Sequence, residues 1–290
     1  METKSLILIT EISDLSRIAV LKCNQDLVSV LRRGIGLAGG LEGLCSPVLI
    51  KPNICTISDN TGYSVTNVEI IEHLVTLLLN HDSSLEIKIV ESDSQSKYAD
   101  DAFKKFGYAS MVESMVDNGY DLHLVNLSDS RMSKLQFQGR YFKNPDLPVE
   151  LVENHYYVSV AVPKTHYLTQ ITGSLKNQFG LLPRKDQAAY HPDIDDVIVD
   201  INSIVRPNLC IFDARVGVER WNGPKTHPMG LLVIGNNVVS TDAIMSRIMG
   251  FDPNTIAHIR LASESGLGGF DPEVIGENPD DVVVEFRQPK

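Results

Sequence analysis

The sequence predicts an α/β protein, a mostly parallel sheet flanked by helices, and three observations carry that prediction. Short apolar runs alternate with helix-periodic stretches along most of the chain, the pattern of β-α units feeding a parallel sheet. Several of the runs are continuously apolar, as strands covered on both faces must be. Hydrophobic residues make up 43% and charged residues 22% of the chain, an ordinary globular balance that excludes wholesale disorder.

In chain order, residues 6–9 read as a first strand, a four-residue apolar run directly after a polar start. Residues 25–33 read as helical. The Gly34-Ile35-Gly36-Leu37-Ala38-Gly39 string behind them matches the letters of a dinucleotide fingerprint. It lacks the strand before and helix after that would bring helix amides to a pyrophosphate, so it reads as a helix exit. Residues 48–51 form the next strand. The best helix covers 67–79, where Ile70, Ile71, Leu74, Val75 and Leu78 recur at helical spacing and Thr66 with Glu69 spells a capping box.

Strands at 85–91 and 122–127 bracket helices at 99–106 and 110–118. Further on come strands at 156–162, 209–213, 231–234 and 282–286, and helices at about 169–179, 195–205, 241–249 and 255–264. Between 128 and 150 the periodicity breaks into short polar pieces, with Gln138-Gly139-Arg140 as a hairpin turn and Pro145 and Pro148 beyond it. Two organisations fit this break equally. One is a single domain over 1–290. The other is two α/β halves, 1–127 and 151–290, with a cleft between them and an inserted hairpin or linker at 128–150.

The 290-residue chain carries 26 Lys plus Arg against 37 Asp plus Glu, a net charge of -11. That balance argues against nucleic acid and anionic membrane surfaces as partners, so any basic site must be local. No apolar run reaches membrane-span length. Without a signal-peptide pattern, and with Cys23, Cys45, Cys55 and Cys210 matching no metal clip, the expected location is cytoplasmic. The cysteines read as reduced thiols, mostly core filler.

Chemistry concentrates where apolar strands end, because loops at the carboxyl ends of parallel strands line the ligand crevice of such sheets. Leu49-Ile50-Lys51-Pro52-Asn53 ends one strand with a cation and an amide. Lys51, Asn53 and the hydroxyl of Thr66 could hold a carboxylate or phosphate there. At the next strand end, Asp93 could pair with Lys51, orient a catalytic group, bind a metal or serve only as a helix cap or turn residue.

The densest set is Val162-Pro163-Lys164-Thr165-His166, followed by Thr169, Thr172 and Lys176-Asn177. A histidine beside ammonium groups stays neutral, which suits anion binding and acid-base work. His166, Lys176 and His191 are the catalytic candidates, with Lys164, Thr169, Thr172 and Asn177 on the anion. Asp213 and Asp242 are supporting candidates, Asp242 equally readable as a helix cap. His191 with the aspartates behind it suits a metal site or, more simply, the acidic opening of a helix.

The blocks Val48-Leu-Ile-Lys-Pro-Asn53, Val162-Pro-Lys-Thr-His166, Ile171-Thr-Gly-Ser-Leu-Lys-Asn177, Asp213 with Gly223-Pro224, Ser240-Thr-Asp242 and Met249-Gly-Phe-Asp252 together resemble the family called domain of unknown function 362. The match in order and spacing runs from about residue 45 to 276. Many members of that family carry ferredoxin-type iron-sulfur clips. The four cysteines here cannot form one, so no intrinsic cluster is expected, and the redox work the resemblance implies would need a separate redox protein. A more distant likeness is to the catalytic half of the nickel-pincer lactate racemase family, whose His, Lys, His order is repeated by His166, Lys176 and His191. That likeness implies only a cleft in which histidine and lysine act on an anionic substrate, and the cofactor remains unassigned. The expected activity is His/Lys acid-base chemistry on a small anionic molecule in a strand-end cleft. The alternative is a non-catalytic carrier or redox-accessory protein.

Overall fold

The computed structural model describes residues 16–24, 26–183 and 186–288; the strand predicted at 6–9 lies outside them. The first described strand is β1 (Arg17–Lys22), followed by α1 (Leu27–Leu37), whose N-terminus is capped where Ser29 N donates to Asp26 Oδ2 at 3.0 Å. The helix runs on through Gly34 and Gly36 and stops at Gly39 and Gly40, which take positive φ values that residues with a side chain resist. The Gly34-to-Gly39 string is thus the end of a helix rather than its beginning.

Next come β2 (Val48–Pro52), α2 (Val68–His81), β3 (Ile87–Glu91), α3 (Ala99–Lys105), α4 (Tyr108–Asp117) and β4 (Leu122–Asn126). The expected capping box at α2 does not form. Glu69 N donates to Asn67 Oδ1 at 2.9 Å, so Asn67 is the cap. The Thr66 hydroxyl is taken up by Asn53 N (2.8 Å) and Val160 O (2.9 Å). The core residues of α2 lie where the periodicity put them, with Ile70, Ile71, Leu74, Val75 and Leu78 fully buried, each worth roughly 1.5–3 kcal/mol.

The 128–150 stretch is a small two-stranded hairpin, β5 (Met132–Lys134) against β6 (Asp146–Pro148), leading into the single turn α5 (Val149–Val152). Its tip is fastened to the body by Asp200, whose carboxylate accepts from the amides of Arg140 (2.9 Å), Tyr141 (2.7 Å) and Phe142 (2.8 Å).

The remainder comprises β7 (Tyr156–Ala161), β8 (Lys164–His166), β9 (Gln170–Thr172), α6 (Ser174–Asn177), α7 (Ile194–Ile204), β10 (Leu209–Val218), β11 (Thr226–Gly235), α8 (Val238–Ile248), α9 (Ala257–Glu264) and β12 (Glu273–Gly276). Here the structure corrects the sequence reading in three places. The helix expected at about 169–179 is a β8–β9 hairpin, then Gly173, then four residues of α-helix running into a tight 3-10 turn. The strands expected at 209–213 and 231–234 are the inner halves of a long antiparallel hairpin with a bulge between Ala214 and Val216. Residues 282–286 are not a strand. They pass the end of α8, with Val284 N bonded to Ile248 O at 2.8 Å and Phe286 N to Met249 O at 3.2 Å, while β12 pairs with β1 at that side of the sheet.

Among the described residues, ten strands form one mixed, mostly parallel sheet in the order β12-β1-β11-β10-β7-β2-β3-β4, with β8 and β9 branching from β10. Successive side chains of a strand point to opposite faces. Val48 and Ile50 pack with α1 to α4 on one side, while Leu49 packs with α7, α8 and α9 on the other. From β2 the chain steps outward through β3 to β4, then returns to place β7 on the other side of β2, parallel to it with Lys51 beside Ser159. The connections therefore diverge at the carboxyl ends of β2 and β7, the switch point where open α/β sheets hold their ligands.

Candidate functional site

A cleft of about 250 Å³ opens at that switch point, lined by the ends of β2 and β3, by β8 and β9 and by α6. Lys51, at the end of β2, is fully buried and bonds Glu91 Oε2 at 2.6 Å and Pro52 O at 2.7 Å. Glu91, ending β3, also receives Lys97 Nζ at 3.4 Å on its other oxygen. Burial pushes the Lys51 ammonium below its ordinary pKa and Glu91 pulls it back up.

Asn53 carries the next layer. Its amide donates to Asn177 Oδ1 at 3.1 Å, and its own oxygen accepts from Lys164 Nζ. Asn177 in turn donates to Lys51 O and Ser159 Oγ, both at 3.1 Å. This amide pair ties the loop after β2 to α6 across the switch point. Lys164, completely buried, also bonds Ser64 O at 2.6 Å and touches Cys55 Sγ at 3.3 Å. Cys55, read from the sequence as core filler, is thus a wall of the cleft.

His166 ends the short β8 and is nearly buried. Leu168 N donates to its Nδ1 at 3.2 Å, which assigns the proton of the neutral ring to Nε2. Burial, then the nearby Lys176, push its pKa down to about 2, so the imidazole is uncharged throughout the physiological range. Lys176 itself is lowered to about 8, chiefly by burial and then by Lys164, with Asp195 of α7 pulling the other way. Its Nζ sits 4.8 Å from the Phe179 ring centroid. Among the described residues it has no carboxylate or carbonyl partner, unlike Lys51, Lys97 and Lys164. His191 stacks on the other side of the region against Phe179 at 6.3 Å, and burial with Lys176 lowers its pKa as well.

Of the residues singled out in the sequence, the structure brings Lys51, Asn53, Lys164, His166, Thr172, Lys176, Asn177 and His191 together around this cleft. Five others are placed elsewhere. Thr66 is spent on the backbone bonds described above, and the Thr169 hydroxyl donates to Ile171 O at 3.0 Å. Asp93 does not reach Lys51; it accepts from Ala99 N at 2.8 Å and caps α3. Asp213 is held by Arg215 through two contacts of 2.8 Å and lines a separate cavity of about 260 Å³. Asp242, fully buried, accepts from Ser174 N (2.7 Å) and Leu175 N (3.0 Å). It caps the turn that carries Lys176, and burial raises its carboxyl pKa to about 7.

Glu91, Lys97, Gln187, Tyr167 and Phe179 line the cleft without having been named as site residues. Glu91 had a signal, a carboxylate ending an apolar strand; the others had none. Among the described residues, four lysines against one glutamate make the lining strongly cationic inside a chain of net charge -11. Among the described residues no three His, Cys, Asp or Glu side chains gather as a metal-ligand group. Asp196 and Asp200, behind His191, are engaged by Arg140 and by the hairpin tip. No helix among the described residues is long and apolar enough to cross a membrane.

Fold and cleft together define a helix-flanked α/β protein with a cationic pocket at the switch point of its parallel strands. The chain belongs to the family described as Domain of unknown function (DUF362), which matches residues 48–247. That span runs from the first residue of β2 almost to the end of α8, and it includes every residue of the cleft. A curated relative is the Thylakoid-associated protein sll1697 of Synechocystis sp., 25% identical over 281 residues, covering 90% of this chain and 82% of the relative. Among solved structures, the lactate racemase apoprotein from Thermoanaerobacterium thermosaccharolyticum aligns with a TM-score of 0.42 at 13% identity. The alignment covers 68% of this chain and spans about half the length of the racemase, 50%.

Proposed function

We propose that the protein is a cytoplasmic enzyme that binds a small carboxylate- or phosphate-bearing molecule in the switch-point cleft and acts on it through His166 and Lys176. The observation that carries this reading is Lys176, a cleft ammonium without an anionic partner among the described residues, beside a histidine held neutral. Lys51 and Lys97 already share Glu91, whereas among the described residues Lys164 and Lys176 form no ion pair with a carboxylate. A bound anion would supply the missing negative charge. His166, with its proton on Nε2, suits donation of a hydrogen bond to substrate oxygen, while Lys176, lowered to about 8, suits proton exchange near neutrality. The four cysteines are unpaired, in keeping with a reducing compartment.

Trp221 offers a direct test, because it is the only tryptophan of the chain and it lines this cleft. Titration with inorganic phosphate, L-lactate and malate at low ionic strength should change its fluorescence and raise the melting temperature. Lys176→Met, which breaks no hydrogen bond or ion pair among the described residues, should fold normally and lose that response. A Lys176→Met protein that still responds like the wild type, or a wild type indifferent to every anion, would sink the site assignment. Stabilisation with no conversion of any bound anion would favour a carrier instead.

A further inference from the structure

Lys176 differs from its three lysine neighbours in a way that points to more than charge. The ammonium groups of Lys51 and Lys97 are fastened to Glu91, and that of Lys164 to Asn53, Ser64 and Cys55. Each of those lysines is held in place by acceptors that take hydrogen bonds from its Nζ. Lys176 has only the face of Phe179, so among the described residues nothing with a lone pair anchors its Nζ, which can lose a proton and present a lone pair of its own. It is set on a turn that Asp242 clamps through two backbone amides, and it shares the cleft with those three anchored lysines and the neutral His166.

Resting on the anion-binding reading above, we propose that Lys176 is a nucleophile that forms an imine with the carbonyl carbon of a small 2-oxo acid whose carboxylate is held by the cleft's other lysines. The uncharged Nζ adds to the carbonyl carbon, and the C=O π pair moves to oxygen, which takes up a proton. The resulting carbinolamine transfers a proton from nitrogen to the hydroxyl as water departs, and the nitrogen lone pair closes the C=N bond. Amine, carbonyl compound and one proton become a protonated imine and water, with no oxidant or reductant required. The neutral His166 fits the first step as a hydrogen-bond donor to the developing oxyanion. The neighbouring substrate carboxylate stabilises the iminium charge at the end. Burial and the proximity of Lys164, which bring Lys176 down to about 8, leave a useful fraction of free amine near neutral pH.

The test is borohydride trapping with intact-protein and peptide mass spectrometry. Protein is mixed separately with glyoxylate, pyruvate and 2-oxoglutarate, then reduced with sodium borohydride. The expected result is one reduced adduct per chain with at least one of them, mapped to Lys176, with yield rising through about pH 8. It should be suppressed by excess L-lactate, which has the carboxylate without the carbonyl, and abolished in Lys176→Arg, which keeps a cation. If no 2-oxo acid is trapped while L-lactate or phosphate still perturbs Trp221, the imine is refuted and the anion site survives. If adducts scatter over several lysines at the same yield in Lys176→Arg, the imine is refuted as well. If no anion perturbs Trp221 and nothing is trapped, both readings fall together.

Discussion

Substituting Glu91 by glutamine probes the most demanding electrostatic arrangement in the fold. Its carboxylate holds two ammonium groups, at 2.6 Å and 3.4 Å, and all three side chains are almost completely buried. Glutamine keeps the shape and one acceptor oxygen but removes the charge, so Lys51 and Lys97 face each other uncompensated. Breaking a buried pair from one side costs about 3–5 kcal/mol; the retained acceptor argues for the lower end, about 3. In a domain of this size that lowers the melting temperature by roughly 6–12 °C.

The deficit should also depend on pH in a set direction. Burial already lowers the Lys51 pKa and Glu91 opposes it, so loss of Glu91 depresses it further. The folded pKa then lies below the unfolded one, and the folded state favours the uncharged amine. Stability is therefore regained as pH rises through the folded pKa toward the unfolded value. Urea unfolding of wild type and Glu91→Gln between neutral and alkaline pH should show the gap narrowing. Adding Lys51→Met to Glu91→Gln should recover part of the loss. A loss below about 1 kcal/mol, or a gap that widens with pH, would refute the assignment of Glu91 as the charge that makes two buried lysines tolerable.

Asp200→Ala removes three charge-assisted bonds to the hairpin tip. It should cost about 3 kcal/mol and make the 128–150 segment the first site of limited proteolysis, with the cleft's response to phosphate retained. Asp242→Ala uncaps α6 at a cost of about 1–2 kcal/mol. It should weaken the Trp221 response to anions through Lys176 without abolishing folding, which parallel circular dichroism and titration would establish.

The elements that could be read from the chain are those whose burial is written in composition. β2, β3 and β7 are apolar on both faces, and α2 repeats its core residues at the helical period. β1 escaped although Ile18 to Leu21 form an apolar run as long as the one read at 6–9, and it could have been read the same way. The outer half of the β10–β11 hairpin escaped because a bulge breaks its alternation. At 169–179 the apolar spacing suited a helix, but Gly173 lies where a Cβ would meet Asp242 Oδ2 at 2.4 Å, a contact with a residue 69 positions away in sequence that no local pattern encodes.

The site divides along similar lines. Lys51, Asn53, Lys164 and His166 were legible because strand ends advertise their chemistry, and Lys176 because it follows His166 closely in the chain. Asp93, Thr66 and Asp242 are polar as well, but backbone amides and carbonyls claim them, and which backbone group lies nearby is a tertiary fact. Glu91 could have been weighed as the counter-charge of Lys51; Cys55 and Phe179 owe their place in the lining to the arrangement of neighbouring loops.

The position of β1 also sets the order of events in biosynthesis. It pairs with β11 on one side and β12 on the other, and its first residue bonds Asn236, 219 residues downstream. At ribosomal speeds of about 5–20 residues per second, that distance corresponds to a wait on the order of 10–40 s. Throughout that interval Ile18, Ala19, Val20 and Leu21 have neither flanking strand, so a nascent chain must keep an aggregation-prone segment shielded. The sheet can be completed only after the last strand has left the ribosome.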